Sequence, residues 1–353
     1  MSAGQLLRLA YLTPPESPSE GWHGVLGAAA FVAGTDGAGV PQGGGADFPL
    51  ARVHTPVLGD APEMLEVWRA GGHVQAGSHG RVRYARSGDF LFGSLAVHEA
   101  GLASPPQSAP RAPLELATGL AYREMYAALA AAGDPQLVRV WNYIPDINLD
   151  THGLERYRQF NTARQEAALA CGRAVAGAVP AASALGAASG SPLTIYFLAS
   201  RHAPAFIENP RQTSAYRYPA QYGPRSPAYS RATVLGEGSE AMLFVSGTAS
   251  IVGHSTLHSG DPAAQVRETL VNIEALLEEA ASRSGIGRLR LETLACKVYV
   301  RDPRDLPVIR RELESALGAA AAPLYLKADI CRQDLAVEIE AVGGGGWRHN
   351  GAG

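Results

Sequence analysis

Residues 241–250 of the chain read AMLFVSGTAS, an apolar run that ends in glycine and small polar residues. A continuous apolar run bounded by glycine predicts a buried strand that leads into a turn. Asp261 and Pro262 follow as the N-cap and the first-turn proline of a helix. The apolar residues of this helix recur at spacings of three and four, so they share one face. They are Val266, Leu270, Ile273 and Leu277.

A second strand and helix and a closing strand come next. Residues 294–302 (LACKVYVRD) are rich in β-forming side chains, and residues 335–342 (LAVEIEAV) predict the closing strand. Asp302 and Pro303 end the first of these strands, and residues 306–317 predict the second helix. The predicted order is therefore strand, helix, strand, helix, strand.

The N-terminal half repeats the opening of this series. Residues 89–97 (DFLFGSLAV) and 137–146 (LVRVWNYIPD) predict strands, and residues 116–129 and 153–170 predict helices. Corresponding positions lie 52 residues apart in this half (94 to 146) and 56 apart in the other (246 to 302). We therefore predict an α+β protein of two fused units.

A linker between the two units is predicted in the Ala/Gly/Ser-rich residues 175–191. The alternative to a repeat is a chance similarity of two generic α/β segments. The matching order and spacing of the elements argue against it.

Composition narrows the class of protein. The chain has 353 residues, 46% hydrophobic and 18% charged, which suffices for a core and is too apolar for a disordered protein. The net charge of −3 provides no basic surface for nucleic acid.

No apolar run approaches the ~20 residues of a membrane helix, and residues 1–5 do not resemble a signal peptide. The three cysteines lack the spacing of metal ligands and favour a reducing compartment. We expect a cytoplasmic protein without nucleic-acid or membrane partners.

Several segments, taken in order, resemble the chorismatases, a family of the RidA/YjgF superfamily. They are residues 139–143 (RVWNY), 153–158 (GLERYR), 207–210 (IENP), 222–227 (YGPRSP), 297–301 (KVYVR) and 329–340 (DICRQDLAVEIE). The resemblance implies two RidA/YjgF-like units in one polypeptide, each a mixed β-sheet covered on one face by helices. It also implies a monomer whose internal repeat imitates a trimer.

The resemblance implies a domain division and a reaction. A degenerate N-terminal unit would occupy residues 1–185, a unit carrying the active site residues 191–343, and a flexible tail residues 344–353. Chorismatases cleave the enolpyruvyl ether of chorismate. The resemblance therefore implies chorismate as substrate, and 3-hydroxybenzoate and pyruvate as products, without metal or cofactor.

Chorismate carries two carboxylates, so a site for it needs cationic anchors. The guanidinium group binds a carboxylate through two charge-assisted hydrogen bonds. The resemblance directs attention to Arg225 and Arg231, with Tyr222 as an additional hydroxyl donor. The alternative is a rigid surface loop with solvated arginines.

Cleavage of a vinyl ether begins with protonation of its methylene carbon, which requires a general acid with a raised pKa. Glu338 and Glu340 alternate with apolar residues, so their carboxyls share one face of a strand and each disfavours ionisation of the other. The resemblance identifies Glu338 as the catalytic acid and Glu340 as its neighbour. The alternative is an edge strand whose polar face lies in water.

Two positions distinguish the chorismatase subgroups by product. At the position of Cys331, the resemblance assigns cysteine to the formers of 3-hydroxybenzoate and alanine to the hydrolytic enzymes. At the second position, these subgroups carry alanine and glycine respectively. The alignment places Ser250 there, next to Ala249, and serine fits neither pattern. This leaves open a mixture of 3- and 4-hydroxybenzoate or a hydrolytic product. Without the resemblance, Cys331 is a small buried apolar residue and Ser250 a turn-capping hydroxyl.

Two other functions remain open. RidA-like imine deaminases hold the substrate carboxylate with an arginine, and this chain has Pro323 at the corresponding place. A ligand-binding protein without turnover is the second alternative.

Overall fold

The computed structural model describes residues 7–14, 22–34, 48–104, 109–318 and 321–345. These residues form one four-stranded sheet, two six-stranded sheets, two short hairpins and four α-helices. None of the described helices is both long and apolar enough to cross a membrane.

The N-terminal sheet comes from residues to which the sequence assigned no structure. Its strands are β1 (Leu7–Leu12), β2 (Val25–Phe31), β3 (Leu50–Val53) and β4 (Met64–Ala70). They lie in the order β1-β4-β2-β3, with β2 and β3 parallel and the other pairs antiparallel.

The first six-stranded sheet lies in the order β11-β8-β12-β7-β6-β5. Its elements are β5 (Gln75–His79), β6 (Val82–Ser87), β7 (Phe90–Val97), α1 (Pro113–Ala131), β8 (Gln136–Pro145), the hairpin β9 (Asp150–Thr151) and β10 (Leu154–Glu155), α2 (Arg156–Ala170), β11 (Ala181–Ala187) and β12 (Leu193–Ser200). The predicted strands and helices of this half are confirmed.

The second six-stranded sheet lies in the order β13-β14-β15-β20-β18-β19. Its elements are β13 (Ala205–Ile207), β14 (Ala232–Leu235), β15 (Met242–Thr248), the hairpin β16 (Ile251–Val252) and β17 (Ser255–Thr256), α3 (Pro262–Ser284), β18 (Ala295–Val300), α4 (Leu306–Leu317), β19 (Leu324–Lys327) and β20 (Val337–Gly344). Helix α3 begins as predicted, because the Asp261 carboxylate accepts a hydrogen bond from Ala264 N at 3.0 Å.

The two larger sheets have the same topology. Read from the opposite edge, the second sheet repeats the first strand for strand, including the parallel pairs β8–β11 and β18–β19. The apolar faces of α1 and α2 pack on the first sheet and those of α3 and α4 on the second. The predicted α+β class and the fusion of two units are therefore confirmed, and the N-terminal repeat extends through the whole series.

The predicted linker is wrong. The middle of residues 175–191 is β11, which pairs in parallel with β8 from Ala181↔Arg139 to Ala187↔Pro145. The alanine-rich sequence of β11 has little intrinsic β propensity, and pairing with β8 determines its structure. Strand β12 also pairs within the first sheet, so a division into units would fall after Ser200 and not at 185–191. Residues 346–353 of the predicted tail lie outside the described residues.

The N-terminal sheet repeats four consecutive strands of each larger sheet, counted from the edge that carries the parallel pair. The order β1-β4-β2-β3 matches β7-β12-β8-β11 and β15-β20-β18-β19, again with one parallel pair. The three sheets enclose a common core in which Trp68 of β4 lies 5.9 Å, ring to ring, from both Trp141 of β8 and Phe244 of β15. The three sheets therefore face one another with the helices outside.

Candidate active site

Glu338 lies on a central strand at the junction of the two larger sheets. Strand β20 pairs with β15 on one side and β18 on the other. Val337 and Ile339 pack beneath the helices, and Glu338 and Glu340 face the other way. Both carboxyls are buried, each residue being 4% exposed. The edge-strand alternative is therefore wrong.

The environment of Glu338 keeps its carboxyl protonated at neutral pH. Burial, followed by the negative charge of Glu340, raises the pKa of Glu338 to about 8, and Arg139 and Arg231 only partly offset this. A buried acid whose pKa lies near the working pH can give a proton to a substrate and take one back.

A narrow pocket, the inner pocket, surrounds Glu338 and receives side chains from both larger units. Tyr157, Arg164 and Ser183 belong to the first unit. The second unit contributes, besides Glu338, a further set: Gln212, Tyr229, Arg231, Gly247, Ala249, Ile251 and Cys331. The site therefore lies between units of a single polypeptide.

Two buried arginines line this pocket, and neither forms an ion pair with a carboxylate of the described residues. Arg231 is 3% exposed and donates to Tyr229 Oη at 3.1 Å, Thr213 O at 2.7 Å and Tyr218 Oη at 2.9 Å. Arg164 is 5% exposed and donates to Asn161 Oδ1 at 3.0 Å. Both Nε atoms are buried and have no hydrogen-bond partner in the part of the chain that the structure describes. Because an unpaired buried charge is costly, the arrangement favours a ligand with two anionic groups.

The prediction for Arg225 needs correction. Its side chain is exposed and lines neither the inner pocket nor its mouth, as the solvated-loop alternative expects. Arg164 provides the second buried cation instead. The sequence indicates Arg164 because it lies four residues from both Phe160 and Ala168, and so on the buried face of the same helix.

The inner pocket opens onto a larger outer pocket that contains Tyr222. Tyr222 Oη donates to His254 O at 2.7 Å, and its ring lies 4.2 Å from the Arg332 guanidinium carbon. Tyr222 therefore belongs to the mouth of the site. Arg332, which the sequence did not single out, lies beside it.

Cys331 lies at the neck between the pockets. Four side chains line both cavities: Tyr157, Tyr229, Ile251 and Cys331. Burial, followed by the charge of Glu338, raises the pKa of Cys331 to about 12, so the thiol stays neutral. Arg301 holds this loop by donating to the carbonyls of Ile330 at 3.0 Å, Arg332 at 2.7 Å and Leu335 at 2.8 Å.

The turn after β15 presents Ala249, and not Ser250, to the inner pocket. Ser250 is completely buried, and its hydroxyl donates to Leu257 O at 2.9 Å. The turn-capping alternative therefore describes Ser250.

Gly247 leaves room for the acid. A Cβ at this position would lie 1.8 Å from Glu338 Oε1. We expect Gly247→Ala to reduce kcat on the order of 10²-fold, because misplacing a reacting group by about 1 Å has that effect. Initial rates and the melting temperature measure it. Gly287→Ala is the control, since no atom lies within 4 Å of its added methyl. Full activity of Gly247→Ala would contradict this position of Glu338.

Comparisons with known proteins identify the family. Residues 66–199 match the family described as "Chorismatase FkbO/Hyg5-like, N-terminal". A chorismatase of Streptomyces rapamycinicus is 38% identical over 333 residues, covering 92% of this chain and 94% of that protein. The chain belongs to the chorismatase family. A relative named 3-hydroxybenzoate synthase, from Streptomyces hygroscopicus, is 37% identical over 293 residues, covering 80% and 82%.

A solved chorismatase structure has the same fold as this chorismatase chain. It superposes with a TM-score of 0.86 at 33% identity and covers 97% of this chain and 99% of its own. The family resemblance deduced from the sequence is confirmed, and the chain is an enzyme of that family.

Proposed function

We propose that this chorismatase converts chorismate to 3-hydroxybenzoate and pyruvate. One observation carries the proposal: a buried carboxyl, whose pKa its surroundings raise to about 8, shares a pocket with two buried arginines that form no ion pair with the described carboxylates. Chorismate has two carboxylates and an acid-labile ether, so its charges and its reactivity match both features. Both sides of the pocket come from one polypeptide, and we propose the monomer as the active unit.

In the proposed binding mode, the two guanidinium groups hold the two carboxylates. The unpartnered Nε of Arg231 and of Arg164 each provide one donor that the protein leaves unused. With both anionic groups fixed, the ether lies between the arginines and within reach of Glu338. Substrate binding also neutralises the two buried cations.

The first chemical step is proton transfer from Glu338 to the methylene carbon of the side arm. The resulting oxocarbenium ion weakens the bond between the ring carbon and the ether oxygen. The neighbouring ring hydroxyl then attacks that carbon, and pyruvate leaves with the ether oxygen as its keto group. The Glu338 carboxylate takes up the hydroxyl proton, which restores the acid and leaves an arene oxide that opens to the hydroxybenzoate. No water is consumed.

The test is incubation of the purified protein with chorismate, followed by chromatography of the aromatic products and an assay for pyruvate. Equal amounts of 3-hydroxybenzoate and pyruvate are expected. Pyruvate with a dihydroxycyclohexadiene carboxylate would indicate hydrolysis, and additional 4-hydroxybenzoate a mixed enzyme. Binding without pyruvate would contradict the proposal, and release of ammonia from 2-iminobutyrate would favour the deaminase alternative.

Cys331 and Ala249 support the 3-hydroxybenzoate route over hydrolysis. Cys331 narrows the neck through which water reaches the inner pocket. Ala249 is the side chain of the turn after β15 that faces this pocket. The alignment places Ser250 at the second subgroup position, but Ala249 is the side chain that faces the pocket, so we assign that position to Ala249. Cysteine and alanine are then the pair that the family resemblance associates with 3-hydroxybenzoate.

We expect Cys331→Ala to divert product from 3-hydroxybenzoate to the dihydroxy diene, because a smaller side chain at the neck admits water to the activated ether. Product analysis in isotopically labelled water measures the fraction that incorporates the label. Cys171→Ala is the matched control, since Cys171 is a half-buried free thiol that lines neither pocket. An unchanged product ratio in Cys331→Ala would exclude a gating role for this thiol.

A further inference from the structure

A buried cluster of four charged side chains joins the three sheets next to Glu338. We call it the four-charge cluster; its members are Glu66 of β4, Arg139 of β8, Lys297 of β18 and Glu340 of β20. Lys297 Nζ lies 2.5 Å from Glu66 Oε2 and 2.6 Å from Glu340 Oε1. Arg139 Nη2 lies 2.7 Å from Glu340 Oε2. No member side chain is more than 5% exposed.

The cluster is balanced, with two carboxylates and two cations. Glu340 is its most connected member, because Trp141 Nε1 donates to it at 2.8 Å and Ser183 Oγ at 2.6 Å, in addition to the two cations. Burial alone raises the pKa of Glu340, but Lys297 and Arg139 outweigh it and hold that pKa below its ordinary value. Glu340 therefore keeps its negative charge.

Glu66 forms an ion pair with Lys297, which could otherwise stabilise a further negative charge. Its carboxylate contacts Lys297 and accepts a hydrogen bond from Trp68 Nε1 at 2.8 Å. With Lys297 shared between Glu66 and Glu340, and Arg139 paired with Glu340, the cluster carries no net positive charge that would favour ionisation of Glu338. The N-terminal sheet thus contributes to the electrostatics of the site without lining it.

Glu340 is close to Glu338 and rigidly connected to it. Two residues apart on one strand, the two side chains lie on the same face, roughly 7 Å apart. Ser183 Oγ donates to Glu340 Oε2 at 2.6 Å and accepts from Gly247 N at 3.1 Å, and Gly247 lies against the Glu338 carboxyl.

The other groups that face Glu338 are two arginines paired with carboxylates, two arginines without an ion pair among the described residues, and neutral side chains. The cations are Arg139, Arg164, Arg231 and Arg301. Arg301 is paired with Asp329 at 2.8 Å, and Arg139 with Glu340. The remaining titratable groups are neutral near pH 7: Tyr157, Tyr229, Tyr299 and Cys331. Among the described groups that act on Glu338, Glu340 is thus the negative charge that opposes its ionisation.

We propose that Glu340 is a positioning residue whose fixed negative charge, held by Lys297 and Arg139, keeps Glu338 protonated until the substrate is bound. Its role rests on the proposed function, in which Glu338 gives up that proton. Removing a negative charge from the four-charge cluster should therefore favour ionisation of Glu338, and removing a positive charge should disfavour it.

The test is titration of Glu338 in the substrate-free protein by carbon-13 NMR of labelled glutamate carboxyls, with Glu338→Gln to assign the signal. We expect Glu340→Gln to lower the titration midpoint by about 1 pH unit or more and Arg139→Gln to raise it. The double variant should return it close to the wild-type value. The descending limb of the pH profile of kcat should move in the same directions.

Two further variants keep the test decisive. Glu66→Gln should lower the midpoint by a smaller amount, and it replaces Glu340→Gln if that variant does not fold. Glu312→Gln removes a charge from the surface pair with Arg267 and should leave both the midpoint and kcat unchanged. Midpoints that stay fixed, or that move in the same direction in Glu340→Gln and Arg139→Gln, would overturn the inference and leave the cluster a purely structural element. The titration needs no substrate, so a failure of chorismate turnover would refute the proposed function separately.

Discussion

Glu338→Gln should release pyruvate from chorismate ~10²–10⁴-fold more slowly than the wild-type protein, the range typical of losing a general acid. The amide has the shape of the carboxyl and remains buried in the same pocket, but it cannot give a proton to carbon. Binding is expected to persist, since the arginines that hold the carboxylates are unchanged. Initial rates measure the first effect and calorimetric titration with chorismate the second.

The pH dependence tests the same group independently. Because the pKa of Glu338 is about 8 in the folded protein, the protonated form and kcat should both decline as the pH rises through that value. The pKa of a glutamate in the unfolded chain is about 4.3. Between that pH and the folded-state pKa of Glu338, the carboxyl is therefore ionised in the unfolded chain and protonated in the folded protein. The free energy of unfolding should therefore fall with rising pH over that range.

Comparison with the variant isolates the contribution of Glu338 to this slope. Glu338→Gln should flatten the decline in stability, measured by denaturant unfolding at a series of pH values. A variant with wild-type turnover and an unchanged slope would remove Glu338 from the mechanism.

Arg231→Met should weaken chorismate binding by up to roughly 10²-fold, because a hydrogen bond to a charged group is worth about 1.5–3 kcal/mol and the Nε of Arg231 provides one such bond to the substrate. The buried guanidinium forms no ion pair with a carboxylate of the described residues, and a substrate carboxylate would provide one. Calorimetric titration measures the dissociation constant. The dissociation constant of Arg231→Lys should lie between those of the wild-type protein and of Arg231→Met, since lysine keeps the positive charge and lacks the planar guanidinium group.

Arg225→Met is the matched control for this prediction. Arg225 lies six residues earlier in the same loop and is exposed, so its replacement should change the dissociation constant by less than about two-fold. A larger effect in Arg225→Met than in Arg231→Met would contradict the assignment of the buried arginine as the carboxylate anchor.

The sequence predicted those parts of the fold in which pattern and propensity agree. Helix α4 begins and ends at the predicted residues, and the alternation in β20 correctly places Glu338 and Glu340 on one face. Strand β11 was missed because its alanine-rich sequence forms a strand only through pairing with β8. The N-terminal sheet was missed because its strands are separated by Gly/Pro-rich residues and have no predicted helices between them.

The site was harder to predict than the fold, because it depends on contacts between units. Arg225 and Arg231 belong to one loop segment, and no local pattern shows that only Arg231 turns inward. Arg164 comes from the other unit, and its place in the pocket follows from how the two units pack. The partners of Lys297 come from β4 and β20, which are more than two hundred residues apart in sequence.

The threefold repetition of the four-stranded pattern has a consequence for how this enzyme can evolve. The register matches Glu338, opposite Tyr299, with Thr194, opposite Tyr143, and with Met64, opposite Phe31. In a ring of identical chains, symmetry would impose one amino acid on all three places, and any substitution would appear three times. Covalent linkage removes that constraint. Here one place bears an acid, another a hydroxyl and the third a thioether, so a single codon change alters one place and leaves the other two intact.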